Sequence, residues 1–233
     1  MKHIISLIVI LSMSFSLPAF SAGESDQIKA MISLAEEGDA DAQYDLALAY
    51  DFAEGVAEDH VEAVKWYIKA AEQGHMDAQY NLAVSYDDGE GVAEDNVAAV
   101  IWYRKAALQG DAKAQYNLAR SYDDGEGVEV DHAEAVDWYR KAAAQGHSSA
   151  QYNLAVSYDE GEGVRVDHEE AVRLYLLAAK EGHPGAQFNL AVSYEIGEGV
   201  KKNKAEAIKW YRRAAAQGDT DAVDQLKALN AWE

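Results

Sequence analysis

The sequence predicts an all-α protein, a right-handed α-solenoid of five 36-residue helix-pair repeats with a half-repeat cap at each end. The chain from Asp39 to Gly218 divides into five units of equal length with no insertion or deletion. The second and third units agree at 25 of 36 positions, too many for compositional bias. A fixed period of roughly 20–50 residues is typical of solenoids, in which each unit buries its apolar face against its neighbours. One aromatic slot and one glycine slot recur in every unit: Tyr44, Tyr80, Tyr116, Tyr152 and Phe188, and Gly74, Gly110, Gly146, Gly182 and Gly218.

The first 21 residues have the pattern of a secretory signal peptide. Lys2 and His3 precede an apolar run, and the small residues Ala19 and Ser21 favour cleavage after Ser21. The apolar run is shorter than the ~20 residues that a membrane span needs. The chain contains no cysteine, which excludes a lipid anchor on an N-terminal cysteine. We therefore expect a mature chain that is periplasmic or secreted and free of the membrane.

The charge balance argues against two classes of partner. The chain has 20 Lys and Arg residues against 41 Asp and Glu residues, a formal net charge of −21. Such a surface repels nucleic-acid phosphates and anionic lipids. The absence of cysteine also excludes disulfides and thiolate metal sites.

The first helix of each repeat shows a single apolar stripe. In the second repeat, Ala78, Leu82 and Tyr86 fall at i, i+4 and i+8. Gly89-Glu90-Gly91 then predicts the end of the helix, because glycine readily adopts the left-handed conformation of a helix C-terminus.

The second helix of each repeat is predicted to open at an Asp or Asn cap and to close at the glycine slot. In the second repeat it runs from Asp95 to Gly110 and carries Trp102 and Tyr103 among small alanines. In four of the five repeats a Glu follows the cap by three residues, which predicts a capping box with the Glu bonded to the amide of the cap. These pairs are Asp59/Glu62, Asp131/Glu134, Asp167/Glu170 and Asn203/Glu206, whereas the second repeat has Ala98.

The predicted domain limits follow from these signals. Residues 22–38 and 219–233 are half-repeat caps, which the open ends of a solenoid require. The five repeats span residues 39–74, 75–110, 111–146, 147–182 and 183–218.

The segments AQYNLAVSYDDGEGV and WYRKAALQG of the second repeat resemble the Sel1-like repeat, a relative of the tetratricopeptide repeat. The resemblance covers all five repeats and both caps. Departures are few: Ala53 replaces a turn glycine, Leu174 replaces the Trp of the fourth repeat, and Ala47, Ala83, Ala119, Ala155 and Ala191 stand where the family often has glycine. The resemblance implies a scaffold that binds other proteins.

The resemblance further implies that the first helices line the concave surface of the solenoid. On that surface we expect an aromatic row, an aliphatic row that Arg120 interrupts, and an acidic row, with asparagines beside them. Rings and side-chain amides suit a peptide, and the acids favour a cationic segment. The predicted contact residues are Tyr44, Tyr80, Asn81, Val84, Asp87, Tyr116, Asn117, Arg120, Asp123, Tyr152, Asn153, Val156, Asp159 and Phe188.

Two alternatives stay open on this surface. The rings could pack against the next repeat while the acids form a solvated face, since stripes at helical spacing are usually structural. Arg120 could bind a carboxylate of the ligand or pair with Asp123 or Asp124.

Catalytic and metal-binding motifs are absent from the sequence. It contains no His-Glu-x-x-His, Gly-x-Ser-x-Gly, phosphate-binding glycine loop or Ser-x-x-Lys. The histidines recur at helix starts, which indicates capping, and the tryptophans of the second helices indicate core packing. We expect no catalytic residue, metal or cofactor.

The sequence therefore predicts a non-enzymatic, extracytoplasmic scaffold that binds a protein or peptide along its concave face. Further expectations are a cationic segment in the partner, no nucleic acid and a monomeric state. The alternatives are an enzyme that binds or hydrolyses β-lactams or peptidoglycan fragments, by analogy with cysteine-rich family members, or a secreted factor that binds a host protein.

Overall fold

A computed structural model describes residues 22–231, with side chains from residue 26 onward. The predicted signal peptide lies outside the described residues. Within residues 22–231 the chain forms twelve α-helices and no strand, and each helix packs mainly against those before and after it. This arrangement confirms the predicted all-α solenoid. The helices are α1 Ala22–Glu37, α2 Ala40–Asp51, α3 His60–Glu72, α4 Met76–Asp88, α5 Asn96–Gln109, α6 Ala112–Asp124, α7 His132–Ala144, α8 Ser148–Glu160, α9 His168–Lys180, α10 Pro184–Ile196, α11 Lys204–Ala215 and α12 Thr220–Ala228.

The core repeats along the chain as the sequence does. Each first helix buries two or more alanines and one leucine, such as Ala78 and Leu82 in α4. Each second helix buries alanines and one tyrosine, such as Tyr103 in α5. Alanine lets neighbouring helices approach closely, so the larger tyrosine ring fills the space between them. The predicted apolar stripe of the first helix is therefore confirmed, with Tyr86 at its half-buried end.

The first helices are capped at both ends. Their N-caps are Asp39 and Asp111 in two repeats and His75, His147 and His183 in the other three. In α4 the imidazole Nδ1 of His75 accepts a hydrogen bond from the amide of Ala78 at 3.2 Å. The predicted glycine stop is confirmed at Gly89, whose φ of 70° lies in the left-handed region. In the first repeat Ala53 adopts a φ of 55°, a conformation that costs an L-residue roughly 1–2 kcal/mol.

The predicted capping box of the second helices is wrong in one respect. The caps do accept a hydrogen bond from the helix, as Asp59 does from the amide of Glu62 at 3.0 Å. The amide of Asp59, however, donates to the carbonyl oxygen of Tyr50 at 3.0 Å, so no proton is left for the glutamate. Glu62 instead pairs with Lys65, and Glu170 with Arg173. The same amide-to-tyrosine bond forms in the second repeat, which explains why Ala98 is tolerated there.

The second glycine of each Gly-Glu-Gly turn lies against the preceding repeat. A Cβ atom at Gly127 would lie 2.1 Å from the carbonyl oxygen of Asn96, where the second helix of the preceding repeat begins. Gly91, Gly163 and Gly199 have equivalent contacts with His60, His132 and His168. The turn thus sets the distance between neighbouring repeats, and only glycine fits.

We predict that Gly127→Ala destabilises the protein more than Gly146→Ala does. Both residues have positive φ, which costs an alanine roughly 1–2 kcal/mol. Only at Gly127 must the new methyl group also displace backbone, because Gly146 has open space around it. Urea unfolding of the two variants measures the difference. Equal losses of unfolding free energy would contradict this role of the turn.

Candidate partner-binding face

The predicted contact residues lie on one face of the first helices, which we call the first-helix face. Its aromatic, aliphatic and acidic rows fall at i, i+4 and i+7, a spacing that places them side by side on an α-helix. Every member is half-buried except Arg120, which is exposed. The rows are Tyr44, Tyr80, Tyr116, Tyr152 and Phe188; Leu48, Val84, Arg120, Val156 and Val192; and Asp51, Asp87, Asp123, Asp159 and Glu195.

The aromatic row is supported by the next repeat. Tyr44 stacks on His75 with ring centroids 4.5 Å apart, and Tyr116 stacks on His147 at 4.6 Å. Tyr152 stacks on His183 at 4.5 Å. These histidines are N-caps of the following first helix, so one side chain both caps a helix and supports a ring. Burial lowers the pKa of His147 and His183, which favours the neutral imidazole that capping requires.

Behind this row, each second helix places a buried tyrosine between two first helices. The hydroxyl of Tyr139 donates to Asp123 Oδ2 of its own repeat at 3.2 Å and accepts from Asn153 Nδ2 of the next repeat at 2.9 Å. We call this contact the tyrosine clamp. Burial is the main cause of the strongly raised pKa of Tyr139, so the phenol remains a donor throughout the physiological pH range.

The clamp recurs along the solenoid. Tyr67, Tyr103, Tyr139, Tyr175 and Tyr211 are each 1% exposed, and their hydroxyls donate to Asp51, Asp87, Asp123, Asp159 and Glu195 at 2.6–3.4 Å. Asn81 and Asn189 donate to Tyr67 and Tyr175 as Asn153 does to Tyr139. The asparagines and acids predicted as ligand contacts are therefore also structural partners of buried phenols.

Three second helices begin with a histidine that lies against the acidic row: His60, His132 and His168. His132 Nδ1 lies 2.7 Å from Asp123 Oδ1, and His168 Nδ1 lies 2.7 Å from Asp159 Oδ1. His168, Asp159 and Glu198 also bring three potential metal-ligating atoms within 4.8 Å of one another. His168 already pairs with both carboxylates, since its Nε2 also lies 3.5 Å from Glu198 Oε1.

Arg120 forms the intrahelical pair that was one of its two predicted roles. Its Nη2 donates to Asp124 Oδ2 at 3.3 Å, and about half of each side chain is exposed. Asp123, the other candidate partner, is bonded to His132 and Tyr139 instead.

Helix pairs stacked in chain order, with a repeated surface on the first helices, define an α-solenoid repeat protein. The Sel1 repeat family matches this chain at residues 40–75, 77–111, 112–147, 148–183 and 184–219. The chain therefore belongs to the Sel1 repeat family.

Solved structures agree with this assignment. The crystal structure of c5321, a protective antigen present in uropathogenic Escherichia coli strains, is 41% identical with a TM-score of 0.80 over 84% of this chain and 42% of its own. This chain thus spans less than half the length of c5321. A Sel1 repeat protein from Oxalobacter formigenes is 35% identical with a TM-score of 0.78 over 87% of this chain and 81% of its own. No curated protein matches the sequence. None of the described helices has both the length and the apolar character that a membrane span requires.

The histidine–acid pairs predict a defined pH dependence. The hydrogen bond to Asp123 raises the pKa of His132 above its ordinary value of about 6.5. The stability contributed by this pair is fully present below the unfolded-state pKa and is lost as the pH rises through the folded-state pKa. We expect His132→Asn to cost more unfolding free energy at pH 5.5 than at pH 9, as measured by urea unfolding.

Asparagine is the conservative replacement for that test, because Asn96 occupies the same position in the second repeat. The remaining histidines are common to both proteins, so their titration cancels in the comparison. A cost that is the same at the two pH values would show that the pair carries no charge-dependent stability.

Proposed function

We propose that this protein is a non-enzymatic, extracytoplasmic scaffold that binds a protein or peptide along the first-helix face. Sel1-repeat proteins generally mediate protein–protein interaction, and their scaffold is typically non-catalytic. The observation that carries the proposal is the row of half-buried rings that occupies the same slot in all five repeats.

The support behind these rings favours binding. Because Tyr44, Tyr116 and Tyr152 are stacked on the caps of the next repeat, little side-chain freedom remains to be lost when a partner arrives. Preorganised aromatic side chains provide apolar contact area at a low entropy cost.

The tyrosine clamp divides the face into two kinds of residue. Asn153 and Asp123 already hydrogen-bond within the fold, so their capacity for a partner is limited. Contact with the partner then falls mainly on the aromatic row and on aliphatic residues such as Val84 and Val156. The net charge of −21 favours a partner with a cationic segment.

Arg120 gives the central repeat a different character. Its exposed pair with Asp124 is worth only about 0.3–0.5 kcal/mol, so an acidic group of the partner can replace Asp124 at little cost. We propose that Arg120 binds such a group and so fixes the register of the partner along the face.

The proposed location rests on the signal-peptide pattern of residues 1–21. The similar protein c5321 is a protective antigen, which accords with a location outside the cytoplasm. The partner is therefore to be sought in the cell envelope or beyond it.

Substitutions on the first-helix face should remove partner binding without unfolding the chain. With residues 22–233 as bait in an envelope fraction, we expect Val156→Glu to abolish capture of the partner, because a charge would be buried against it. Arg120→Ala should weaken capture about tenfold, a loss of about 1.4 kcal/mol.

The matched control is Val97→Glu, which adds the same charge on a second helix where Val97 is 58% exposed. Each variant must keep the melting temperature of the parent to within a few degrees. Undiminished capture by Val156→Glu, or equal loss in Val97→Glu, would contradict binding along this face.

A further inference from the structure

Tryptophan and a stacked cation form a repeated unit on the second helices. Lys141 Nζ lies 3.4 Å from the ring centroid of Trp138, whose side chain is almost fully buried, and Arg213 lies 4.5 Å from that of Trp210. The first two repeats carry the same pair, with Lys69 over Trp66 and Lys105 over Trp102. In four of the five repeats an indole and a cation three residues later thus cover the same part of the surface.

The fourth repeat lacks both members of this unit. Leu174 replaces the tryptophan and Leu177 replaces the cation. A cleft of about 430 Å³ is present there between α7, α8 and α9. Its apolar surface includes Ala143, Leu154 and Leu174, and Arg140, Arg173 and Glu170 are among its polar lining residues.

A third departure leaves a buried acceptor beside the same cleft. In the third repeat, Gln145 Nε2 donates to Gln115 Oε1 at 2.8 Å and to the carbonyl oxygen of Gly110 at 2.9 Å. Gln109 and Gln217 make the same two bonds to Gln79 and Gly74 and to Gln187 and Gly182.

In the fourth repeat Glu181 occupies the position that Gln145 has in the third, and an ionised carboxylate cannot donate a hydrogen bond. Gln151 is 6% exposed, its Oε1 has no hydrogen-bond partner among residues 22–231, and both Gln151 and Gly146 line the cleft. A buried acceptor without a donor is unfavourable. The fourth repeat therefore lacks the indole, the cation stacked on it and the N–H donor that the other four repeats have at the equivalent place.

We propose that this cleft binds a tryptophan side chain of a partner polypeptide. The chain itself supplies the template for the ring and the cation, because the other four repeats place an indole followed by a cation at this position. The template for the N–H donor is the side-chain amide of Gln145, which donates to Gln115 in the third repeat. The ring of the guest packs on Leu154 and Leu174, and its N–H donates to Gln151 Oε1. A lysine or arginine beside the guest tryptophan shares the carboxylate of Glu170 with Arg173. The cleft shares no residue with the predicted contacts of the first-helix face, so this inference goes beyond the function proposed above.

N-acetyltryptophanamide serves as the probe, titrated into the protein while the side-chain amide resonances of Gln151 are followed by NMR. We expect saturable binding that shifts these resonances. Leu174→Trp should weaken binding at least tenfold, because it fills the cleft as Trp138 fills the equivalent place, and it restores the repeat pattern, so the fold is retained.

Two comparisons isolate the hydrogen bond. Methylation of the indole nitrogen of the probe removes its donor, and Glu181→Gln supplies Gln151 with an internal donor. Each change alone should weaken binding severalfold, and the two together should weaken it little more than either one. N-acetylleucinamide should bind at least tenfold more weakly than the parent probe.

Three results would overturn the proposal. The first is no saturable shift of Gln151, and the second is unchanged binding in Leu174→Trp, which would place the probe elsewhere. The third is tighter binding of free tryptophan than of the capped form, which would indicate a small-molecule site. None of these results bears on the first-helix face, because the cleft is lined by none of its predicted contact residues.

Discussion

A buried phenol between two repeats constrains this structure more than any other group. The hydroxyl of Tyr139 needs a hydrogen-bond partner, because an unsatisfied polar group in the core is costly. It has two partners, Asp123 sixteen residues before it and Asn153 fourteen residues after it. An insertion or deletion between these positions would separate them. The tyrosine clamp thus gives a physical reason for the unbroken 36-residue period, and the close contact of Gly127 with Asn96 adds a second one.

The same constraint shapes the surface available to a partner. The clamp occupies polar groups of the first-helix face, whereas the aromatic row remains half-exposed. Three of its five rings, Tyr44, Tyr116 and Tyr152, are stacked on histidine caps. Under the function proposed above, recognition of the partner rests mainly on apolar contact area, and the excess of acidic residues favours cationic sequences. Individual repeats differ from one another at a few positions. These include Arg120 on the first-helix face and Leu174 in the cleft of the fourth repeat.

Much of the fold could be predicted from the sequence, because periodicity and glycine placement are local signals. The five repeats and the glycine stop at Gly89 follow from them directly. The capping box was predicted wrongly, because the competing acceptor for the amide of Asp59 is the carbonyl of Tyr50, which helix propensity does not reveal.

The roles of individual site residues were harder to predict. Asn153 and Asp123 are predicted as partner contacts, and that prediction stands. Their second role, as hydrogen-bond partners of Tyr139, cannot be predicted from one helix because it depends on how the repeats stack. The available signal is the spacing of an Asp, a Tyr and an Asn, which is constant in the first four repeats; the fifth repeat has Glu195 and Gln225 at the two outer positions. The cleft of the fourth repeat is only partly predictable from the sequence. Leu174 is evident as a departure from the repeat, but the unsatisfied Oε1 of Gln151 depends on Glu181, thirty residues further along the chain.

A double-mutant cycle between Tyr139→Phe and Asn153→Ala tests the clamp most directly. If the phenol joins the two repeats, the single losses of unfolding free energy will not add, and the coupling will be about 1 kcal/mol. Losses that add to within about 0.3 kcal/mol would show that the two groups act independently, and the clamp would then not hold the repeats in register.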